Sequence, residues 1–579
     1  MELNLKVSRL SQSLGLLFAL SATAAFAQVR QPDAGSLMQT PAAPATAPAK
    51  SPTLEVQQEM RPVLVAPGGV KVKVASFKIS GNTVFDEVTL KALLSDLVGK
   101  ELDLAGLDQA VDTINQYYRQ RGYLVARAYL PAQEIASGNL EIAVIEGRLG
   151  AIKFTRNGET RLAARRAQEL VSGAAPLGIP IREQDIERGL MLLNDLPGVE
   201  VKSTLIPGAT PGTSDLVVES TEGALLSGSV DADNYGNKFT GAVRAGVTVN
   251  LNDPLGIGDQ FVVRGMTSGS GLRYGRLAYS LPVGNLGSRL GLAYSSMNYK
   301  LGGDFAAINA SGQSSVASIF AVHPLIRSRH RNVYVTATYD RKRLIDEQLN
   351  RNVTDKSINV YSAGLSGDMR DALGGGGLTS AGFAFTQGRL DLRGNADTVA
   401  LDALTAKTNG SYSKLSYNVS RLQRIDDSWS FYAGFSGQNA RKNLDSSEKF
   451  VLGGMGVRAY PQGEAAGDSG RLLNLEVRYN VPGFNFGSLQ VVGFIDTGRV
   501  TLHNATWAGW QPIGRPDFPN SYSLSGAGIG LNLLNEAGFT VRSSLAWKLG
   551  NNPGADANGR NSDGESGGPR FWVQLIKKF

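Results

Sequence analysis

The chain has 579 residues, of which 58 are Lys or Arg, 51 are Asp or Glu, 3 are His and none is Cys, and its formal charge is +7. Without cysteine it has neither disulfides nor a thiolate site, and three histidines leave little for metal binding, so no metal and no cofactor are predicted. The charge is spread thinly and lacks the basic clusters interleaved with aromatic residues that nucleic-acid grooves show, which argues against a nucleic-acid partner.

Residues 1–27 have the pattern of a secretory signal peptide. Lys6 and Arg9 precede an apolar core around Leu14 to Leu20, and the segment closes on a small-x-small cleavage site that ends at Ala27. A signal anchor is the alternative, but this core has roughly half of the 20 apolar residues that a membrane-spanning helix needs. We therefore expect an exported protein whose mature chain starts at Gln28.

Two short segments follow the signal peptide. Within residues 28–40, the run from Gln31 to Gln39 has a proline near its start and predicts a short helix. Such a helix is marginal alone, so its stability must come from docking elsewhere. Residues 41–70 are rich in Pro and Ala, a composition that cannot bury a core and predicts an extended linker.

Residues 71–150 and 151–223 predict two small α+β modules in tandem. The first has the order β-α-α-β-β: an alternating strand at residues 72–79, two amphipathic helices, and strands near residues 125–130 and 140–146. The second repeats this order more loosely, with strands near residues 152–155, 199–206 and 215–220 and helices near residues 161–171 and 182–194.

From residue 224 to residue 579 the pattern changes to period-two alternation, interrupted by Gly, Asn, Asp and Ser turns. In one run Phe239, Gly241 and Val243 alternate with polar residues, so that one face suits lipid and the other suits water. At roughly 20 to 22 residues for each strand with its turn, the span predicts a transmembrane antiparallel β-barrel of about 16 strands. The strands of a soluble β-sandwich also alternate between polar and apolar residues. The frequent small residues, the strands of about 10 residues and the export of the chain favour the barrel.

The last predicted strand, residues 570–579, ends on Phe579. A terminal aromatic residue on such a strand resembles the signal by which outer-membrane barrels are recognised for assembly. We therefore expect Phe579 to be an assembly signal, with the barrel-assembly machinery and outer-membrane lipids as partners.

Catalytic patterns are weak throughout the chain. Residues 564–568 match G-x-S-x-G formally, but no strand leads into them and no helix follows, so a loop is predicted and not a nucleophile elbow. The glycines at 374–377 predict a turn, since no strand-helix context for a nucleotide cradle surrounds them. No catalytic residue is therefore predicted, and the chain is not expected to be an enzyme.

The informative polar pattern lies in the barrel half. A glycine-punctuated loop carries Val457, Arg458, Ala459 and Tyr460, and a clear strand further on carries Asp496 between Phe494 and Gly498. Either charge alone is explained by solvation in a loop or in the lumen. A loop that folds back into the lumen would instead bring Arg458 to Asp496 in a charge-assisted and possibly bidentate pair, a latch that closes the channel.

These motifs resemble the V-R-G-[YF] loop and the F-x-D-x-G strand of the outer-membrane protein-translocation and barrel-assembly superfamily. Ala459 stands where its members generally carry glycine, a departure that bears on how tightly the loop tip can turn. Residues 81–85, 117–123, 130–133 and 144–148 resemble the first polypeptide-transport-associated (POTRA) domain of two-partner secretion transporters, the ShlB/FhaC/HecB-type haemolysin secretion proteins. The resemblance covers essentially the whole mature chain.

The resemblance implies an outer-membrane transporter with periplasmic POTRA domains that captures a large unfolded exoprotein, its cognate partner, and exports it. In this family the helix before the linker plugs the pore, which makes residues 31–39 the candidate plug. An assembly factor of the same superfamily is the alternative, although it would usually carry more POTRA modules. A passive porin is a third reading, but a porin has no use for two periplasmic modules and a linker.

Overall fold

The computed structural model describes residues 31–39, 53–56, 71–134, 137–156 and 161–579. The predicted signal peptide and most of the predicted linker lie outside these ranges. Within them, no helix is both long and apolar enough to cross a membrane. Helix α1 (Ala34–Met38) and strand β1 (Thr53–Val56) come first, and each packs against a part of the molecule that is distant in sequence.

The first α+β unit follows the predicted order, but its first strand is divided. Its elements are β2 (Val72–Lys73), β3 (Ser76–Ser80), α2 (Glu87–Ala92), a 3₁₀ turn (Ser95–Leu97), β4 (Glu101–Leu102), α3 (Leu104–Gln120), β5 (Arg127–Tyr129) and β6 (Asn139–Ile145). The single strand predicted at residues 72–79 is wrong, because β2 pairs with β4 whereas β3 pairs with β6. Leu140 and Ile142 of β6 pack on Ile114 and Tyr118 of α3, which gives the unit an apolar core.

The second α+β unit recruits part of the linker into its sheet. Its elements are β7 (Arg148–Arg156), α4 (Ala164–Ala174), α5 (Glu183–Asn194), β8 (Val199–Pro207) and β9 (Thr213–Glu222). The sheet order is β1-β8-β9-β7, and β1 runs parallel to β8 with Thr53 beside Lys202. The Pro- and Ala-rich composition of residues 41–70 did not predict this added strand.

The rest of the chain forms a closed antiparallel barrel of 16 strands, which confirms the predicted fold class and strand number. Its strands are β10 (Leu226–Asp233), β11 (Arg244–Asn252), β12 (Gln260–Thr267), β13 (Leu272–Val283), β14 (Ser288–Lys300), β15 (Ser311–Arg327), β16 (Arg331–Gln348), β17 (Arg351–Asp371), β18 (Gly377–Asp391), β19 (Gly410–Arg424), β20 (Trp429–Ala440), β23 (Ser469–Val481), β24 (Ser488–Thr501), β25 (Ser521–Leu534), β26 (Phe539–Lys548) and β27 (Arg570–Lys578). Two short strands outside the wall, β21 (Phe450–Val451) and β22 (Ala466–Gly467), pair with each other. A short helix, α6 (Ala396–Leu404), and 3₁₀ turns at Gly303–Ile308, Leu373–Gly375 and Ser446–Glu448 occupy connections.

The two faces of the barrel wall differ as the alternation predicts. Leu277, Phe383 and Ile529 are each about half exposed on the outer face. The lumen face carries buried charges such as Lys356 and Asp496. The barrel therefore turns its apolar side chains outward, as a wall in contact with lipid requires.

One expected strand begins later than predicted. Residues 239–243 precede β11, and Phe239 packs edge-on against Phe305 with 4.9 Å between ring centroids, within a buried cluster that also holds α1. Gly241 adopts φ of +102°, which favours glycine and ends the extended pattern. The prediction that Phe239 faces lipid is therefore wrong.

The second α+β unit contacts one end of the barrel, which we call the near end; the opposite end is the far end. Arg188 of α5 donates to the carbonyl oxygens of Pro324 and Leu325 at 3.0 and 2.9 Å. Arg327 forms a bidentate pair with Asp195, with N···O distances of 2.7 and 2.6 Å. These contacts fix the α+β unit beside the barrel mouth.

Candidate functional site

A loop between β21 and β22 folds back into the barrel, and we call residues 452–465 the lumen loop. Val457, Ala459 and Tyr460 are almost completely buried, against Leu472, Phe494 and other side chains of the wall. Hydrogen bonds within the loop, such as Val457 N to Leu452 O at 2.6 Å, hold its compact shape. The loop motif predicted from the sequence therefore lies inside the channel, in contact with the wall.

Arg458 and Asp496 meet at the tip of the lumen loop. Arg458 Nε donates to Asp496 Oδ2 at 2.8 Å, and its Nη2 donates to Oδ1 at 2.8 Å. The backbone N–H of Arg458 also donates to Asp496 Oδ2, at 3.1 Å. Asp496 is fully buried and the Arg458 side chain is 14% exposed, so the bidentate pair is shielded from water.

Four further wall residues surround the pair. Glu476 on β23 accepts from Arg458 Nη1 at 2.9 Å, and Asn474 on the same strand donates to Asp496 Oδ1 at 2.7 Å. The guanidinium carbon of Arg458 lies 3.5 Å from the ring centroid of Phe494, a cation–π contact. Trp572 on the last strand donates its indole N–H to the carbonyl oxygen of Arg458 at 2.7 Å.

Glycines in the wall allow the lumen loop to approach closely. A Cβ on Gly498 would lie 2.5 Å from Leu452 Cδ2, and a Cβ on Gly526 would lie 2.5 Å from the Cβ of Ala459. Ala459 does not adopt positive φ, whereas Gly454 and Gly463 do. The loop therefore turns at Gly454, at Gly463 and at Ala465, which also has positive φ, and alanine at 459 is accommodated because Gly526 of the wall opposite it has no side chain.

A second anchor holds the loop toward the far end. Glu464 is 3% exposed and accepts from Asn552 Nδ2 at 2.9 Å and from the backbone N–H of Ser562 at 2.6 Å. Both partners belong to the connection between β26 and β27, residues 549–569. The stretch that carries the formal G-x-S-x-G match is part of this same connection.

Helix α1 lies beside the lumen loop, inside the barrel. Ala34 and Leu37 are buried in a cluster with Tyr299 and Leu344 of the wall. The backbone N–H of Ala34 donates to Asp346 Oδ1 at 2.8 Å. Two separate pieces of chain, α1 and the lumen loop, thus occupy the lumen together.

Phe579 lies at the near end, where the barrel closes between β27 and β10. Its backbone exchanges two hydrogen bonds with Gly228, at 2.9 and 3.0 Å, and a Cβ on Gly228 would lie 2.6 Å from the Phe579 ring. The ring itself is 60% exposed.

Sequence reasoning identified Arg458 and Asp496 but not Glu476, Asn474 or Trp572. The sequence did contain a signal for Asn474 and Glu476, because these two polar residues lie two positions apart, and so on one face, of the strand that pairs with β24. No local signal marks Trp572, because its contact depends on how the barrel closes. Among the described residues, no cluster of His, Asp and Glu has the arrangement of a metal site.

Comparisons with known proteins agree with this architecture. The family described as haemolysin secretion/activation protein ShlB/FhaC/HecB matches residues 212–533, and the family described as POTRA domain, ShlB-type, matches residues 72–147. A heme/hemopexin transporter protein, HuxB, of Haemophilus influenzae (strain 86-028NP) is 28% identical over 100% of both chains. The outer membrane transporter CdiB of Dickeya dadantii (strain 3937) is 24% identical over 82% of each chain.

A solved structure has the same fold. That of CdiB from Escherichia coli has a TM-score of 0.70 and 22% sequence identity, over 90% of this chain and 93% of that one. CdiB from Acinetobacter baumannii has a TM-score of 0.61 at 17% identity, over 91% and 95% of the two chains.

Proposed function

This chain belongs to the haemolysin secretion/activation protein family ShlB/FhaC/HecB, and we propose that it is the translocator of a two-partner secretion system, dedicated to one large exoprotein. The barrel spans the outer membrane and the α+β units are in the periplasm. In this proposal an unfolded exoprotein is captured by the α+β units and exported through the barrel. The relatives named as heme/hemopexin and CdiB transporters indicate the class of protein, whereas the cargo of this chain is its own cognate exoprotein.

The observation that carries the proposal is the pair of Arg458 and Asp496 in a barrel wide enough to need closing. The latch itself is polar, so a competing polar chain in the lumen can replace its hydrogen bonds, while full release of the loop also separates the apolar contacts of Val457 and Tyr460 with the wall. We assign Arg458 and Asp496 as gating residues, Val457, Ala459 and Tyr460 as the rest of the plug-loop motif, and Phe494 and Gly498 as their support on the wall.

The periplasmic units supply the capture step. An extended polypeptide adds to an exposed sheet edge through main-chain hydrogen bonds, which demand little of its sequence. In the second sheet, one outer position is already filled by β1. In the first sheet, the outer strands β3 and β5 each pair on one side with β6 among the described residues. The outer strand β7 of the second sheet also pairs on one side, with β9, so we place cargo capture at the open sheet edges of the two units, chiefly at the two edges of the first.

The segment assignments follow from this function. We assign residues 1–27 as the signal peptide, 28–40 as the plug segment that includes α1, 41–70 as the linker, 71–150 and 151–223 as the two POTRA domains, and 224–579 as the barrel. Phe579, at the barrel seam, is assigned as the signal for the barrel-assembly machinery. The outer face of the barrel contacts outer-membrane lipids.

Depletion in the native host tests the proposal. If the chain is a dedicated exporter, its depletion should lower the amount of one large secreted protein in the medium. The levels of other outer-membrane barrels, measured by quantitative proteomics, should not change. A general loss of outer-membrane proteins would instead indicate an assembly factor of the same superfamily. Re-expression of the intact chain is the control, and it should restore secretion of that one protein.

A further inference from the structure

The outer face of the barrel wall carries exposed arginines toward the far end. We give the name arginine band to Arg341, Arg389, Arg471 and Arg499, whose side chains are all exposed. Asp496 of β24 faces the lumen, so Arg499, three positions further on, faces outward, and Arg471 of β23 lies directly opposite Arg499 on the same face. Arg341 of β16 and Arg389 of β18 alternate with lumen positions in the same way.

The arginine band lies where the apolar part of the outer face ends. Two positions before Arg341 comes Tyr339, whose ring centroid lies 4.8 Å from that of Tyr361, a residue that is 60% exposed. Aromatic girdles of this kind mark the borders of the apolar band in such barrels. On β23 the outer-face residues at positions 473–479 are apolar or aromatic, and Arg471 is the next outer-face residue toward the far end.

The length of β23 agrees with this placement. The eight residues from Arg471 to Tyr479 span about 27 Å along the tilted strand, at about 3.4 Å per residue. That length is comparable with the height of the apolar band of outer-membrane barrels, about 25 Å. At the other end of the span, Tyr479 packs against Trp429 with 4.7 Å between ring centroids, which marks the near-end border. The arginine band therefore lies at the depth of lipid head groups.

The protein itself does not neutralise the arginine band. Arg471 and Arg499 are directly opposed on paired strands, and like charges in that position destabilise a sheet. Within the part of the chain that the structure describes, the side chains of Arg341, Arg389 and Arg471 make no hydrogen bond and no ion pair. Arg499 Nε donates only to a neutral acceptor, Ser521 Oγ at 3.2 Å.

Other arginines on the outer face do have carboxylate partners. Asp391 lies two positions from Arg389 on the same face, but it already pairs with Arg393 at 2.5 Å. At the near end, Arg421 donates to both carboxylate oxygens of Asp371, at 2.8 and 3.0 Å. The arginine band thus has a demand for negative charge that the near-end arginine does not have.

The position of the arginine band identifies the anion that can reach it. The periplasmic α+β units contact the near end, so the far end is at the outer surface of the outer membrane. The outer leaflet of that membrane consists mainly of lipopolysaccharide, whose phosphate groups lie at the border between acyl chains and sugars. A guanidinium binds a phosphate through two parallel N–H···O bonds. Side chains on the lipid face do not contact a chain that passes through the lumen.

We propose that the arginine band is a binding site for the phosphate groups of lipopolysaccharide. Arg471 and Arg499 hold one phosphate between them, which replaces their repulsion by two attractive contacts. Arg341 and Arg389 hold a second phosphate, since both are paired directly with Asn359 of β17 and lie on either side of it. The lipid then stabilises the barrel wall at the far end, a role that goes beyond export of a cargo.

A titration of the purified full-length protein tests the site. Native mass spectrometry in detergent micelles measures binding of lipid A with two phosphates, of dephosphorylated lipid A and of phosphatidylglycerol. The wild type should bind the phosphorylated lipid A most tightly. The double substitution Arg471→Gln with Arg499→Gln should weaken that binding by about tenfold or more, because charge-assisted hydrogen bonds are lost. Arg341→Gln with Arg389→Gln should have a similar effect.

The matched control is Arg421→Gln, which removes an outer-face arginine at the near end. Because Arg421 already pairs with Asp371, its loss should leave the affinity for lipid A unchanged. Heat-modifiable mobility confirms that each barrel is folded.

Thermal stability gives a second measurement that a purely structural role would not reproduce. In nanodiscs without lipopolysaccharide, the variant with Arg471→Gln and Arg499→Gln should be at least as resistant to heat as the wild type, since a repulsion is removed. In nanodiscs with lipopolysaccharide the order should reverse, because the bound lipid stabilises only the wild type.

The proposal is overturned if both double variants bind phosphorylated lipid A as the wild type does. It is also overturned if dephosphorylated lipid A or phosphatidylglycerol binds the wild type equally well, or if the order of thermal stability is the same in both kinds of nanodisc. None of these measurements involves an exoprotein, so their failure would leave the proposed export function standing.

Discussion

The first α+β unit and the barrel are built on opposite distributions of polarity. In the α+β unit, Leu140, Ile142 and Ile114 are completely buried in an apolar core. In the barrel, the lumen loop also buries apolar side chains such as Val457, but a buried ion pair, Arg458 with Asp496, joins the loop to the wall. An apolar core is held by area removed from water and tolerates approximate geometry, whereas a buried ion pair depends on accurate geometry and complete pairing. The first arrangement suits a domain that must stay folded, and the second suits an element that must be released.

The largest expected effect comes from removing one member of the buried ion pair in the barrel. Arg458→Ala or Asp496→Ala leaves the other charge buried and unpaired, at a cost of about 3–5 kcal/mol to the closed loop. We expect export to be abolished while a heat-modifiable barrel remains in the membrane. Secretion of the exoprotein is measured in the medium by immunoblot.

The matched control is Arg421→Ala. Arg421 forms a two-point pair of similar geometry but greater exposure with Asp371, at 2.8 and 3.0 Å, beside a near-end turn and away from the lumen loop. Export should continue in this variant. Normal export by both Arg458→Ala and Asp496→Ala would contradict the gating role.

A cavity-creating substitution tests the apolar core of the first α+β unit. Ile142→Ala removes a fully buried side chain from the first unit and should destabilise it by about 2–5 kcal/mol. Limited proteolysis of the full chain should then cleave within residues 71–150 at lower protease concentration, with the barrel intact. Lys78→Ala, at an exposed position of β3, should leave the digestion pattern unchanged; equal sensitivity of the two variants would count against the core assignment.

The polarity of the barrel wall predicts that arginine substitutions at two neighbouring residues of β17 differ in their cost to barrel stability. Leu365 is half exposed on the outer face, so Leu365→Arg should cost up to about 2–4 kcal/mol, depending on its depth in the bilayer. Ser366 occupies the alternate face, where Ser366→Arg should be tolerated. The folded fraction after urea titration in lipid vesicles compares them, and similar losses in both would contradict the assigned faces.

The smallest expected effect concerns the buried carboxylate of the apolar unit. Burial alone would raise the pKa of Glu146, but hydrogen bonds from Thr83 Oγ1, from the backbone N–H groups of Val84 and Thr83 and from Tyr118 hold this pKa below its ordinary value. The ionised form therefore stabilises the unit at neutral pH, by about 1–3 kcal/mol relative to Glu146→Gln.

The pH dependence follows from the direction of that shift. Because the folded pKa is lowered, the stabilisation is complete above the ordinary glutamate value of about 4.3 and is lost as pH falls through the folded pKa. Proteolysis midpoints of the first unit should differ between wild type and Glu146→Gln at pH 7 and converge in acid. A constant difference down to pH 3 would contradict the assignment.

Much of the fold was predictable because the signals are local. Alternation along residues 429–436 places Trp429, Phe431 and Phe435 on the outer face, and the structure has them about 40% exposed on β20. Arg458 and Asp496 could be singled out because each stands in a motif. Phe239 was misplaced because a left-handed glycine two residues later ends the pattern, and alternation alone does not show where a strand begins.

By itself, the sequence determined the two α+β units with the order of their main elements, a barrel of about 16 strands and its apolar exterior, since periodicity and turn residues act over a few positions. Only the tertiary structure decided that β1 joins the second sheet and that Trp572 holds the carbonyl of Arg458. It also decided that Asp33 meets Ser446, 413 positions away. Such contacts depend on closure of the barrel and on the register of every strand between them, and no local pattern carries that information.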